Sequence, residues 1–316
     1  MAACVPVSFA PSRWPHRWAV LTTIGAVILL ALGATVTTRH AGMADPLWPT
    51  YPWHLLLVSW NEPRPGFLIE HTHRLVGYVV GCCGIALMAT LWLAEPRRWV
   101  RWLGATALAG IIVQGLLGGF RVKLDAWLGT DLAMVHGSFA PVVFCLLTSV
   151  AVVTSQSWTA LSEPGAAPIA IRRIGRLALF ATGLIYLQIV LGSLVRHTYS
   201  AAGPRAHLLV AFCVAAIIAW LAREVWDSHH GDGRLRAPMA ILVVLATVQI
   251  CLGIEAWMLR FTASGLAAQS LIPTAHVLVG YLMLAGSVVV TLKAYWLFAC
   301  SAPASDRVIG RLEGAA

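Results

Sequence analysis

The chain has 316 residues, of which 59% are hydrophobic and only 11% are charged, against about 25% charged in a typical soluble domain. Its mean hydropathy is +0.78, and this composition excludes a soluble globular enzyme, a disordered protein and a nucleic-acid-binding protein. The net charge of +9 fits a membrane protein, since Lys and Arg collect in cytoplasmic loops.

Eight apolar runs predict an all-α integral membrane protein with eight transmembrane helices, because one spanning helix needs about 20 apolar residues. The runs cover residues 18–36, 75–94, 102–120, 132–154, 174–195, 206–222, 238–259 and 275–298. We interpret the first as a retained span rather than a signal peptide, because no small-residue cleavage site follows closely.

The distribution of Lys and Arg predicts the orientation in the membrane. With the N-terminus inside, 14 of the 22 Lys and Arg fall in inner segments and 8 in outer segments. The short loop EPRRWVR at 95–101 is the strongest single indication. We therefore predict a multi-pass protein of the cell (inner) membrane with both termini cytoplasmic.

A short pattern recurs at the outer ends of spans 3, 5 and 7, in which a glutamine is followed three residues later by leucine and four residues later by glycine. The pairs are Gln114/Gly118, Gln188/Gly192 and Gln249/Gly253, with a weaker form around Gly33 in span 1. The repeat predicts two pseudo-symmetric four-helix bundles, residues 1–160 and 161–316, joined by the polar linker 155–173.

Four of the 11 histidines lie near the starts of even-numbered spans, at the predicted outer side: His73, His136, His207 and His276. Each is followed four residues later, on the same helix face, by a small residue, and we expect flat space there beside the imidazole. The small residues are Gly77, Ala140, Ala211 and Gly280. Flat space beside an axial histidine in a bundle core suits haem.

Two bis-histidine haem sites are therefore predicted, His73 with His136 and His207 with His276. Zinc and copper fit less well, because no third ligand recurs with each pair. None of the 7 cysteines forms a C-x-x-C-H motif, so no covalently attached haem is expected.

Only the first histidine has a carboxylate one turn before it. Glu70 precedes His73 by three residues, whereas the equivalent positions hold Ala133, Pro204 and Pro273. A carboxylate can move protons or position water, and the alternative is that an acid simply favours the first turn of a helix. The asymmetry predicts one reactive and one passive haem site.

The remaining polar residues of the outer side are less specific. Arg74 is a candidate for binding a haem propionate, as an arginine matches a carboxylate, although ordinary loop solubility is an alternative. Arg121, Lys123, Arg196 and Arg205 are weaker candidates of the same kind. Six other histidines are predicted to be mostly solvated: His40, His54, His71, His197, His229 and His230.

Two motifs resemble the heme A synthase family: FLIEHTHRLVGYVVG at 67–81, which contains E-x-x-H-R, and LGATVTTRHAGMADPLWP at 32–49. With the later histidines, the resemblance covers about residues 17–298. It implies an enzyme of cytochrome oxidase assembly that oxidises a ring methyl of haem O to the formyl of haem A, with water as the oxygen source. Many bacterial members carry a cysteine pair in the first outer loop, which this chain lacks.

By this resemblance, the N-terminal half holds the substrate haem between His73 and His136, with Glu70 as the catalytic carboxylate. The C-terminal half holds a haem b between His207 and His276. The implied partners are the lipid bilayer, the haem O substrate, haem O synthase (a farnesyltransferase) and an electron acceptor, with no nucleic acid.

Two other functions compete with an enzyme. A bis-histidine membrane cytochrome b for electron transfer would need neither Glu70 nor a long loop over the site. A transporter would be expected to have broken helices at the midplane and charged residues inside its spans, and few are found.

Overall fold

The computed structural model describes residues 12–45, 56, 66–159, 168–198, 201–227, 233–262 and 265–301. All regular secondary structure in these ranges is helical, and eight of the helices are long and apolar enough to cross a membrane. The helices are α1 (Arg13–Thr38), α2 (Phe67–Ala94), α3 (Arg98–Lys123), α4 (Asp125–Val153), α5 (Gln156–Thr159), α6 (Pro168–His197), α7 (Ala202–Asp227), α8 (Gly233–Met258) and α9 (Leu266–Ser301). The predicted all-α membrane fold with eight spans is confirmed.

The helices that carry the histidines begin earlier than the apolar runs predicted. Helix α2 starts at Phe67 rather than at residue 75, and α9 starts at Leu266 rather than at residue 275. The first turns contain polar and small residues, which an apolar run excludes although helical hydrogen bonding continues through them. As a result, His73 lies inside α2, and Glu70 is in its first turn.

Helices adjacent in the chain pack as four hairpins: α1 with α2, α3 with α4, α6 with α7, and α8 with α9. One apolar cluster contains Leu91 and Val150 from the first two hairpins, and a second contains Leu221 and Met239 from the last two. The division between residues 160 and 161 stays a prediction, since residues 160–167 lie outside the described ranges.

Large apolar side chains cover the outside of the helices. Ile24, Ile85 and Phe212 are 53%, 62% and 67% exposed. Such surface is a liability in water, but it matches the hydrocarbon of a bilayer, in which helices satisfy their own backbone groups.

Polar contacts join the two halves close to the histidines. Arg196 of α6 donates to the carbonyl of Ala34 in α1 at 2.8 Å. The Tyr281 hydroxyl of α9 donates to the carbonyl of Gly137, the residue after His136, at 3.1 Å. The relative position of the two histidine pairs is therefore fixed by direct contacts.

Candidate haem-binding and catalytic site

Each predicted ligand histidine packs the edge of its imidazole against a glycine of its own hairpin. A Cβ atom at Gly33 would lie 2.9 Å from Cε1 of His73, and the other three distances would be 3.0–3.1 Å. A side chain at Gly33 would force the ring to shift, and at the other three glycines the ring would have to give way by a few tenths of an ångström. We call these residues the seat glycines: Gly33 for His73, Gly118 for His136, Gly192 for His207 and Gly253 for His276.

Two of the small residues that follow the histidines lie next to a side chain of the neighbouring helix. A Cβ at Gly77 would meet Cδ1 of Leu29 at 3.7 Å, and a Cβ at Gly280 would meet Nε2 of Gln249 at 3.2 Å. A side chain of the neighbouring helix therefore lies beside each of these two glycines, and flat space beside the imidazoles stays a prediction.

The histidines approach each other in the predicted pairs. The ring centres of His207 and His276 are 6.4 Å apart, with the ring planes at 72°, and His73 lies within electrostatic range of His136. Two imidazoles bound to one metal, with metal–nitrogen bonds of about 2 Å and ring centres roughly 1 Å beyond the nitrogens, are about 6 Å apart. The C-terminal pair therefore has a spacing at which the two imidazoles could hold one metal ion.

All four imidazoles also retain an unsatisfied nitrogen. Nδ1 of each ring is buried and has no hydrogen-bond partner among the described residues. Buried polar atoms without partners are rare in folded proteins, and an unplaced ion or ligand is one recognised explanation. Four such atoms at equivalent positions suit a group that is bound by histidine nitrogen.

The repeated glutamines contact these histidines. Gln188 Nε2 donates to the His207 carbonyl at 2.9 Å and lies 3.3 Å from its ring Nε2. Gln249 Nε2 lies 3.4 Å from Nε2 of His276, and Gln114 Nε2 donates to the His136 carbonyl at 2.9 Å. These contacts explain the sequence repeat. The glycine of each repeat packs against the histidine, and the glutamine one turn earlier contacts the same histidine.

Glu70 is buried, with 4% of its surface exposed. Each of its carboxylate oxygens accepts a hydrogen bond. Oε2 accepts a hydrogen bond from the backbone N–H of Asp45 at 2.7 Å. Oε1 accepts one from Arg74, one turn later in α2, also at 2.7 Å. Each oxygen keeps a further lone pair, so the group can still accept a proton or hold a water.

Asp45 reaches Glu70 because the chain reverses after α1. His40 adopts a φ of +52°, and Ala41 N–H bonds back to the Val36 carbonyl at 2.9 Å. Gly66, with a φ of +79°, then starts α2 so close to Ala41 that a Cβ would lie 2.8 Å from the Ala41 Cβ. Sequence reasoning missed Asp45, although it is the only acidic residue of the 32–49 motif.

The prediction that His71 is solvated is wrong. Its exposed fraction is 0%, its Nδ1 lies 3.0 Å from Oδ2 of Asp45, and its ring stacks on Phe67 at 5.4 Å. The reversed segment 41–45 covers this face of α2. We call Asp45, Glu70, His71 and Arg74 the Glu70 cluster.

The other five histidines that were predicted to be solvated differ in their burial. His40 is exposed as predicted, and His197 is half-buried. His54, His229 and His230 lie outside the described residues, as do Pro46 to Pro49 of the first motif.

Residues 16–203 match the protein family described as cytochrome oxidase assembly protein (COX15-CtaA), which is more than half of the chain. The chain belongs to this family. The matched region contains Glu70, His73 and His136, and it ends before His207.

Relatives in this family support the motif resemblance. The chain is 30% identical over 187 residues to a heme A synthase of Shouchella clausii, covering 58% of this chain and 59% of the relative. For heme A synthases of Lysinibacillus sphaericus and Alkalihalophilus pseudofirmus, the identities are 29% over 194 residues and 30% over 185 residues. They cover 60% and 57% of this chain, and 60% and 59% of the relatives. The alignments thus span about three fifths of each relative.

The basic residues that were candidates for binding a haem propionate differ in their contacts and exposure. Arg74 binds Glu70 and the backbone oxygen of Asp45, and a second nitrogen lies 3.4 Å from Oδ2 of Asp45. The Arg121 guanidinium packs against Gly42, and its Nε is buried without a hydrogen-bond partner among the described residues. Arg196 binds α1, while Lys123 and Arg205 are exposed. A propionate contact for Arg74 stays a prediction.

Proposed function

We propose that this protein is a heme A synthase, which oxidises a ring methyl of haem O to a formyl and supplies haem A for cytochrome oxidase. The observation that carries the proposal is the buried Glu70 carboxylate, one turn before one histidine of four. The substrate haem binds between His73 and His136. His207 and His276, on helices whose first turns have no acid, would hold a resident haem b.

The chain's own groups fit haem as substrate and as cofactor. The seat glycines position four imidazoles, each with a buried Nδ1 that has no hydrogen-bond partner in the described part of the chain. His207 and His276, with ring centres 6.4 Å apart, would hold the haem b together. When bound, haem b supplies a one-electron redox centre.

Converting a methyl group and a water molecule into a formyl group releases four electrons and four protons, so the site needs a proton acceptor and an external electron acceptor. Glu70 is the group that holds the attacking water or takes up a proton. The Asp45 N–H and Arg74 each donate a hydrogen bond of 2.7 Å to one carboxylate oxygen. These two hydrogen bonds restrain the orientation of the carboxylate. A fixed carboxylate of this kind typically contributes about 10²–10⁴-fold to a rate.

A bis-histidine cytochrome b that only transfers electrons is the second candidate, favoured by the C-terminal pair. Extraction and mass analysis of the haems from purified protein separate the two. The synthase is expected to yield haem O or haem A together with haem b. If protein from cells that make haem O contained haem b alone, the electron-transfer cytochrome b would be the correct function.

The partners in the proposed reaction are the bilayer, haem O, an electron acceptor and the haem O synthase (farnesyltransferase) that supplies the substrate. We place the protein in the cell (inner) membrane with both termini cytoplasmic, because Lys and Arg are concentrated in those segments. The histidine pairs then lie near the outer surface.

Cysteine labelling tests this orientation at two exposed positions on opposite ends of α3, Arg98 and Lys123. With a membrane-impermeant maleimide, Lys123→Cys is expected to react in intact cells and Arg98→Cys only after permeabilisation. The parent protein measures the background from its own cysteines. The reverse pattern would place the sites on the cytoplasmic side.

Adding one methyl group at a seat glycine is expected to weaken haem binding. In Gly33→Ala, the new Cβ would lie 2.9 Å from the His73 ring, so the imidazole must move. Disturbing the groups that orient a metal ligand typically costs about 10–100-fold in affinity. We expect a loss of that size at the N-terminal site, measured by haem titration.

The matched control is Gly81→Ala, where a Cβ meets nothing within 4 Å. It should leave haem affinity unchanged and stabilise the helix by about 0.5–1 kcal/mol. Equal haem affinity in the two variants would contradict the role of the seat glycine.

A further inference from the structure

Arg74, Arg121 and Arg196 lie within electrostatic range of the predicted ligand histidines, and two of them are bound to protein groups. Arg74 donates to the Glu70 carboxylate, and Arg196 donates to the backbone oxygen of Ala34. Arg121 has no hydrogen bond or salt bridge with any other residue that the structure describes. Its guanidinium is therefore the one of these three whose donors are not used by the described protein.

Arg121 is placed at the N-terminal histidine pair by its helix and by the chain reversal. It lies in the last turn of α3, three residues after Gly118, the seat glycine of His136, and within electrostatic range of both His73 and His136. A Cβ at Gly42 would lie 2.8 Å from Cζ of Arg121, so the guanidinium rests on the backbone of the reversed segment.

The positive charge of Arg121 has no direct counter-charge among the described residues. Glu70 and Asp125 are the acidic groups within its electrostatic range, but Glu70 pairs with Arg74 and Asp125 is exposed. The Arg121 Nε is buried without a hydrogen-bond partner in the described part of the chain. Arginines are almost never fully buried unless they are paired, so this arrangement suits an anionic ligand.

We propose that Arg121 binds a propionate of the substrate haem and thereby sets the rotation of the ring in the N-terminal site. This inference rests on the proposed function, in which haem O binds between His73 and His136. Two axial histidines fix the plane of a haem but leave it free to rotate about the axis that joins them. Both carboxylates of haem O lie on one edge of the ring, and a guanidinium matches a carboxylate with two parallel N–H donors.

The rotation of the ring decides which methyl group faces the catalytic carboxylate. Segment 42–45 contacts both groups, since Gly42 packs against Arg121 and the Asp45 N–H binds Glu70. The distance between the arginine and the carboxylate is thus restrained by one short piece of chain. Binding the propionate edge at Arg121 therefore presents the same ring methyl to Glu70 each time a substrate binds.

Titration with two haem probes tests the proposal on the purified full-length protein. The probes are protohaem, which has two free carboxylates, and protohaem dimethyl ester, in which both carboxylates are esterified. A His276→Ala background removes the C-terminal site, so that binding to the N-terminal pair is measured. Arg121→Gln in this background is expected to weaken protohaem binding by about tenfold or more and to leave the affinity for the ester unchanged.

Lys123→Gln is the matched control, because it removes a positive charge from an exposed position two residues later in α3. It should keep the preference of the background protein for protohaem over the ester. Arg121→Met provides the same test if Arg121→Gln does not fold. If the Arg121 variant binds protohaem as the background protein does, or if it binds both probes more weakly by the same factor, the proposal is wrong.

A separate measurement distinguishes a failure of the proposed function. Absence of haem O and haem A from the wild-type protein, purified from cells that make haem O, would contradict the synthase. The two probe affinities would still decide whether Arg121 binds a propionate at the N-terminal histidine pair.

Discussion

Glu70→Gln is expected to retain bound haem and to lose about 10²–10⁴-fold in the rate of haem A formation. Glutamine keeps the length of the side chain but cannot accept a proton from the reacting water. The measurement is conversion of haem O to haem A in membranes, with the haem absorbance spectrum as the check on binding. Glu70→Asp should be partly active at best, because the carboxylate is withdrawn by one carbon–carbon bond.

A loss of activity in Glu70→Gln could also have a structural cause within the Glu70 cluster, because Glu70 accepts hydrogen bonds from Asp45 and Arg74. Asp45→Asn is the matched control: it keeps the backbone N–H that binds Glu70 but removes the charge facing His71 and Arg74. If Asp45→Asn lowers turnover as much as Glu70→Gln, positioning explains the loss. A folded Glu70→Gln protein that makes haem A at the parent rate would remove Glu70 from the mechanism.

His207→Ala and His276→Ala are each expected to abolish haem b binding in the C-terminal half and to leave haem at the N-terminal site. The reason is that the ligand pair at 6.4 Å is formed by α7 and α9, while the other pair is formed by α2 and α4. Quantitative haem extraction measures both sites at once.

His16→Ala is the control for removing a histidine. Its ring contacts the Ala151 carbonyl at 3.1 Å, away from both pairs, so both haems should be retained. Loss of all haem from a folded His207→Ala or His276→Ala protein would contradict two independent sites.

The spans, the four histidines and their glycines were predictable because they depend on local patterns. Hydropathy identifies a spanning helix, and a repeat of Gln, Gly and His identifies equivalent positions in successive hairpins. The seat for His73 was detected only as a weak repeat around Gly33, because Leu29 replaces the glutamine.

Asp45 and His71 were not predictable in their roles, because their contact depends on a chain reversal. The reversal requires a positive φ at His40 and the close approach of Gly66 to Ala41, and neither follows from hydropathy. The small residues Gly77 and Gly280 illustrate a related limit: spacing identifies the helix face on which they lie, but not the side chain of the next helix that lies beside them.

Each of the four candidate ligand histidines packs on a seat glycine of its own hairpin. Each predicted histidine pair, in contrast, is formed by two different hairpins. If the hairpins insert in chain order, each histidine is therefore seated before its pair is complete. When α1 and α2 have entered the bilayer, His73 already rests on Gly33, but the opposing imidazole arrives only with α3 and α4. The C-terminal pair is completed only when α9, which carries His276, has inserted. A haem bound between both members of a pair, as we propose, would connect two hairpins, and its loading would therefore follow helix assembly.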